Sequence, residues 1–182
     1  DTWCAEKGIT RVGTIEERKN LMLAVKSLKF LPEDIHLVAV GKKTKYADKV
    51  KKQADKIGVS PRLHLLSGVN DDELNVIYKK AEVFVYPSRY EGFGIPVIEA
   101  IFCGLPVVAC TGSCLEEAGG PDCSYVNPDD TEGMASAIMQ LQNDDEERKR
   151  RITASLEYVQ KYKGSNIAEQ VFETYKKLKM EN

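Results

Sequence analysis

Val83-Phe84-Val85-Tyr86-Pro87-Ser88-Arg89-Tyr90-Glu91-Gly92-Phe93-Gly94-Ile95-Pro96-Val97-Ile98-Glu99-Ala100, with Gly104-Leu105-Pro106-Val107-Val108-Ala109 shortly after it, is the stretch on which the fold turns. Residues 83–86 are a short apolar run of strand character. Gly92 and Gly94 let the backbone turn tightly, and Pro96 suits the first turn of a helix, where its missing N–H costs nothing. A second apolar run at 106–109 closes a strand-helix-strand unit, the building block of a parallel sheet with covered faces.

The same alternation extends in both directions. Further strands are predicted at 35–40, 63–66 and 124–126, and a weak one ends at Gly13. The run Ile9-Thr10-Arg11-Val12 is short and interrupted by polar residues, so this first strand is expected to be frayed or to lack its preceding segment. Leu21, Val25 and Leu28 recur at helical spacing after Asn20, and 47–57 is a Lys-rich amphipathic helix that Gly58 can end. Asp71 and Asp72 open a helix that runs through Tyr78. Asp129, Asp130 and Thr131 offer capping oxygens to a helix with Met134, Ile138 and Leu141 on its inner face. Ile152, Leu156 and Val159 mark the stripe of another helix, and Ile167, Val171, Tyr175 and Leu178 that of the last. Arg148 to Arg151 follow Glu146 and Glu147 and read as a solvated face. The fold class is α/β, a doubly wound, Rossmann-like parallel sheet of about six strands.

The 182 residues suit one domain, with 1–8 as linker and 165–182 as the C-terminal helix. A net charge of −2 offers no field to gather nucleic acid or anionic lipid. No run approaches the roughly 18 apolar residues of a membrane span. The five cysteines are odd in number and form no CxxC pair, which favours buried, reduced thiols and a cytoplasmic location. His36 and His64 sit in apolar runs far from the cysteines and read as half-buried strand residues, so no metal site is expected. The chain opens at Asp1 without a methionine, which suggests a piece of a longer protein.

In an open parallel sheet, ligands bind beyond the carboxyl ends of the strands. The loop after residues 83–86 sets a helix start at such an end, where free N–H groups and the helix dipole favour an anion such as a diphosphate. Glu91 precedes that helix and Glu99 lies about one turn inside it. The two carboxylates can face one crevice about 10 Å or less apart, at ~1.5 Å of rise per helical residue. One suits ribose hydroxyls and the other a sugar. The plainer alternative is a loop that merely ends at its glycines, with Glu99 on a wet helix face.

Glu91-Gly92-Phe93-Gly94-Ile95-Pro96-Val97-Ile98-Glu99 resembles the Glu-x7-Glu signature of the large retaining glycosyltransferase family of GT-B fold. Val12-Gly13-Thr14-Ile15-Glu16-Glu17-Arg18-Lys19-Asn20 is similar to that family's first strand, loop and helix start, and the likeness covers nearly the whole chain from Val12 onward. It implies the nucleotide-sugar-binding half of a GT-B architecture, with the N-terminal acceptor domain absent. It further implies that Glu99 binds the donor ribose, and that Glu91 with the backbone of Gly92, Phe93, Gly94 and Ile95 approaches sugar and phosphates. Lys19 and Arg18 neutralise the leaving diphosphate, Gly13 and Thr14 line the same turn, and Val69 touches the base. Many members carry an arginine directly after the first glycine, where this chain has Thr14, and Arg18 is then the expected second cation.

The implied activity is retaining, metal-independent hexosyl transfer from a GDP-sugar or UDP-sugar to an acceptor hydroxyl, in polysaccharide or glycolipid biosynthesis. No cofactor is expected, because no DxD-type carboxylate cluster sits in a suitable loop. The partners implied are the nucleotide sugar, a glycan or lipid-linked acceptor held by the absent domain, and a membrane surface touched peripherally by the parent protein. The fragment alone is expected to be inactive. A non-catalytic nucleotide-sugar-binding module and half of a nucleotide-sugar epimerase are the alternatives. A dehydrogenase lacks support because no GxGxxG follows the first strand, and a phosphate-loop NTPase because GxxxxGK is missing.

Overall fold

The computed structural model describes residues 8–163, and the expected helix carrying Ile167, Val171, Tyr175 and Leu178 lies outside the described residues. Six strands, β1 (Gly8–Val12), β2 (His36–Val40), β3 (Leu63–Leu66), β4 (Ala81–Tyr86), β5 (Val107–Cys110) and β6 (Ser124–Val126), form one sheet. Their order is 3-2-1-4-5-6, and every neighbouring pair is parallel. The helices are α1 (Leu21–Ser27), α2 (Tyr46–Ile57), α3 (Asp71–Lys80), α4 (Ile95–Phe102), α5 (Leu115–Gly119), α6 (Thr131–Asn143) and α7 (Asp145–Val159).

Each strand supplies both cores because successive side chains point to opposite faces. Leu37, Ala39, Val83, Val85, Val108 and Cys110 pack with α1, α2 and α6. Val38, Val40, Phe84, Tyr86, Val107 and Ala109 pack with α3 and α4. Inner residues expected from the sequence, such as Leu21, Val25, Met134, Ile138 and Leu141, are buried. Local chemistry sets the helix ends. Gly58 adopts the left-handed conformation after α2, Asn70 and Glu73 make a reciprocal capping box on α3, and Asp130 accepts from the Gly133 N–H at the start of α6.

Five expectations need correction. The first strand is not frayed: β1 is central, pairs with β2 and β4, and holds Thr10 and Arg11 fully buried. Main-chain ladders do not depend on side-chain polarity, so flanking strands hold β1 in register despite its composition. Gly8, assigned to the linker, already pairs with His36 and Ala81. The basic run on α7 is not simply a solvated face, since Arg148 donates to the Glu82 carbonyl at 2.8 Å and Arg151 to the Asp122 carbonyl and Ser124 Oγ at 3.2 Å each. On the same helix Ser155 and Val159 are buried while Ile152 and Leu156 are only half-buried. Cys103 is exposed, whereas Cys110 and Cys123 are buried. His36 and His64 are half-buried as expected and face each other, Nδ1 to Nε2, at 2.8 Å on adjacent strands.

Candidate functional site

After β3 the chain crosses back to lay β4 on the other side of β1, so strand order reverses between β1 and β4. The crevice at their carboxyl ends is the topological switch point, where connections leave in opposite directions and open a gap. Both singled-out motifs converge there.

From β1, Gly13 N–H donates to the Val40 carbonyl at 2.8 Å and Ile15 N–H to the Lys42 carbonyl at 2.9 Å, which lays the loop along the end of β2. A single 3₁₀ turn, Glu17–Lys19, follows and ends at Asn20, a left-handed residue with φ 57°. The buried Asn20 side chain donates to the carbonyls of Pro87 at 3.0 Å and Pro128 at 2.9 Å, joining the loops after β1, β4 and β6. Arg89 N–H donates to the Arg18 carbonyl at 2.9 Å and adds a second seam.

From β4, the loop runs to Gly94, which caps α4 with φ 97°, and Pro96 stands in the first turn. A Cβ on Gly94 would lie 2.7 Å from Leu115 Cδ2, so only glycine lets α4 start this close to α5. Cys114 Sγ donates to the Glu91 carbonyl at 3.1 Å from the opposite side. Phe93 is anchored by an edge-to-face contact with Tyr162, ring centroids 5.6 Å apart. At the start of α4 Pro96 has no N–H and the Val97 N–H donates to the Gly94 carbonyl at 3.0 Å, which leaves the Ile95 N–H at the open end of the helix.

Glu91 is held where these loops meet. Its Oε1 accepts from Tyr86 Oη and Ser88 Oγ, each at 2.8 Å, and lies 3.5 Å from Lys19 Nζ. Both members of the ion pair are largely shielded, with side chains 12% and 11% exposed. Burial, and then the Glu91 charge, push the Tyr86 phenol upward, so it stays a neutral donor. Glu99 sits within α4, and burial raises its carboxyl to about 7.

Lys19, Glu91 and Gly13 are thus brought together, with Gly94 three residues beyond Glu91 and Glu99 within α4 near Tyr78 and Cys103. Gly92 is exposed and Phe93 and Ile95 are half-buried, while Thr14 presents its carbonyl inward. Val69, just before the α3 cap, packs on the second core. Arg18 departs from expectation: its side chain is 53% exposed, paired with Glu16 at 2.6 Å, and donates to the Tyr90 carbonyl at 3.3 Å. It turns outward to Glu16, whereas Lys19 turns inward to Glu91. Two surface hollows, of about 290 and 440 Å³, lie on the flank of α1 and the loop after β6, and neither is lined by Gly13, Lys19, Glu91 or Gly94. The convergence of buried charge with a helix start is the better guide to an anion site, because hollow volume carries no chemistry.

The sequence pattern of the family described as Glycosyl transferases group 1 matches residues 5–157. The chain belongs to this family of glycosyl transferases. As a glycosyl transferase domain it is similar to the O-antigen chain mannosyltransferase B of Escherichia coli, 30% identical over 171 residues, covering 92% of this chain and 45% of the relative. It is likewise similar to the O-antigen chain mannosyltransferase RfbU of Salmonella typhimurium, at 31% over 160 residues, 88% of this chain and 44% of the relative. The domain spans less than half the length of either. Among solved structures, Anabaena HepE in complex with UDP and glucose superposes with a TM-score of 0.81 at 19% identity, over 93% of this chain and 48% of HepE. The C-terminal domain of a group 1 protein from Francisella tularensis does so with 0.75 at 19%, over 85% of each chain. These likenesses show the fold, the Rossmann-like half of a GT-B architecture.

Sequence reasoning did not single out four residues that the structure brings to this candidate site: Arg11, Asn20, Tyr86 and Ser88. A charged residue inside a central strand was the available signal for Arg11. Nothing local marks Tyr86 or Ser88, whose roles arise from their distance to Glu91.

Proposed function

We propose that this domain binds a nucleoside diphosphate hexose, linked to GDP or UDP, and that the protein containing it transfers the hexosyl group to an acceptor hydroxyl with retention and without a divalent metal ion. The observation that carries the reading is the shielded Lys19–Glu91 pair at the switch point, three residues ahead of the glycine that caps α4. A cation and a helix start at one crevice suit a diphosphate. The names of the two mannosyltransferases support a hexose donor and a polysaccharide acceptor, and the UDP and glucose bound to HepE support the ligand class.

Chemically, negative charge grows on the diphosphate as its bond to the anomeric carbon breaks and the acceptor oxygen bonds that carbon, the acceptor's hydroxyl proton passing to the departing phosphate oxygen. Groups fixed in advance around the diphosphate then stabilise the transition state more than the ground state. Lys19 and the start of α4 do this. Tyr86, Ser88 and Lys19 all engage Oε1 of Glu91, leaving Oε2 for the sugar. Glu99 accepts from the ribose hydroxyls. The acceptor is bound by a segment beyond these 182 residues.

The test is a thermal-shift panel of UDP, GDP and ADP with their hexose conjugates on this chain, followed by kinetics of Lys19→Ala in the full-length protein with and without magnesium. A diphosphate should raise the melting temperature, and Lys19→Ala should lower kcat by more than it raises KM. No response to any nucleoside diphosphate would overturn the reading. Hexose interconversion without acceptor would move it to an epimerase.

A further inference from the structure

Arg11 is the one guanidinium buried within the sheet among the described residues, and its surroundings do not balance its charge. It is 0% exposed. Its Nη1 and Nη2 donate to the main-chain carbonyls of Gly13 and Thr14, and its Nε–H is buried without a partner. None of the ion pairs within 4.0 Å among the described residues includes it. Glu91 and Glu16 are near enough to favour its charge, but Glu91 is bonded to Lys19 and Glu16 to Arg18. Burial lowers the group only to about 10, so it stays charged at neutral pH.

A buried charge with no counter-charge costs several kcal/mol, roughly, and persists where a ligand supplies the missing sign. Geometry says where that ligand sits. A point one carbon above the bare α-carbon of Gly13 lies 3.5 Å from Lys19 Nζ and 3.6 Å from Arg11 Nη2. Two cations therefore flank one spot at the switch point, with Glu91 their one shared shielded carboxylate, leaving the cluster short of a negative charge.

We infer that Arg11 is the second diphosphate cation of this site, acting with Lys19 on a phosphate group seated over Gly13, in place of the exposed and already paired Arg18. The inference rests on the donor reading above. A guanidinium anchored through two carbonyls is preorganised, so little is lost in fixing it when the phosphate arrives.

Calorimetric titration of the 182-residue chain with UDP, GDP, inorganic pyrophosphate and the matching nucleosides tests this in wild type, Arg11→Met, Arg11→Lys and Arg18→Met. Arg11→Met should bind the preferred diphosphate and pyrophosphate at least tenfold more weakly, bind the nucleoside as wild type does, and keep or raise the ligand-free melting temperature. Arg11→Lys should recover part of the diphosphate affinity, and Arg18→Met should stay within twofold of wild type. Undiminished diphosphate binding by Arg11→Met, or equal loss of nucleoside and diphosphate, overturns the role of Arg11. Absence of binding by wild type overturns the donor reading itself. Should Arg11→Met not fold, the Nε–H resonance of Arg11 in the wild-type chain, identified by its loss in Arg11→Lys, decides: it should shift with pyrophosphate and not with nucleoside, and an unmoved signal counts against the inference.

Discussion

Glu99 carries an electrostatic consequence that belongs to the single residue. Its carboxyl is raised by burial from 4.5 to about 7, with Tyr78 and Cys103 close enough to feel its charge. The folded chain holds a proton that the unfolded chain releases across that window. Stability should therefore fall as pH rises from about 4.5 to about 7 and level off above, by roughly 3 kcal/mol in all. Urea unfolding of wild type against Glu99→Gln checks this, since the glutamine removes that slope. If ionised Glu99 accepts the ribose hydroxyls, binding must expel the proton. Nucleotide affinity should then rise on the order of tenfold from pH 6 to pH 8, with proton release visible as a dependence of calorimetric heat on buffer. Equal affinity at both pH values would rule out the ribose role. Asn20 is the structural counterpart. Asn20→Ala loses two hydrogen bonds and the left-handed tolerance of asparagine, and should cost about 2–3 kcal/mol in urea unfolding.

At the scale of elements, the start of α4 depends on the absence of one carbon atom. Gly94→Ala adds a Cβ 2.7 Å from Leu115 at φ 97°. Gly112→Ala adds one in open space at φ 91°. Both meet the left-handed penalty of about 1 kcal/mol, but only the first must also displace the Leu115 side chain or push α4 away from α5. Gly94→Ala should thus lose diphosphate affinity out of proportion to its loss of stability, while Gly112→Ala should lose stability alone. Paired unfolding and titration curves separate the two, and parallel behaviour would show that the placement of α4 is unimportant for binding. On α7, charge serves attachment rather than solubility, because Arg148 and Arg151 reach main-chain carbonyls at the amino end of β4 and ahead of β6.

For the whole molecule, the reversal of strand order places the proposed donor crevice between β1 and β4. Every residue proposed to meet the donor lies on β1, on the loops at the carboxyl ends of the strands or on α4, whereas the mannosyltransferase relatives are more than twice as long as the aligned part. The chain should gain stability from its preferred nucleoside diphosphate, by about 2.7 kcal/mol at a hundredfold excess over the dissociation constant, yet form no glycoside. Melting curves across a ligand series, with product assays beside them, check both halves. Glycoside formation by the chain alone would show that it holds the acceptor too.

The alternation of apolar runs with amphipathic helices was enough to determine an α/β class, six strands and the crevice-facing loop, because burial on two faces writes a pattern along the chain itself. The helix start after Gly94 was legible for the same reason, as glycine and proline act on their own backbone, whereas Glu91 sits with Lys19, Tyr86 and Ser88, and Glu99 lies within α4 near Tyr78 and Cys103. Arg18 and Arg11 mark where that legibility stops. Adjacent letters made Arg18-Lys19 read as one cationic pair, but the 3₁₀ turn points Arg18 outward to Glu16 while Lys19 turns in to Glu91. Arg11 read as a defect in a strand, and only the parallel neighbours on both sides, which bury it and bring Gly13 and Lys19 around it, make it a buried cation at an anion site. Charge, unlike hydrophobic periodicity, takes its meaning from distances across the fold, and those distances exist only once β1 lies between β2 and β4.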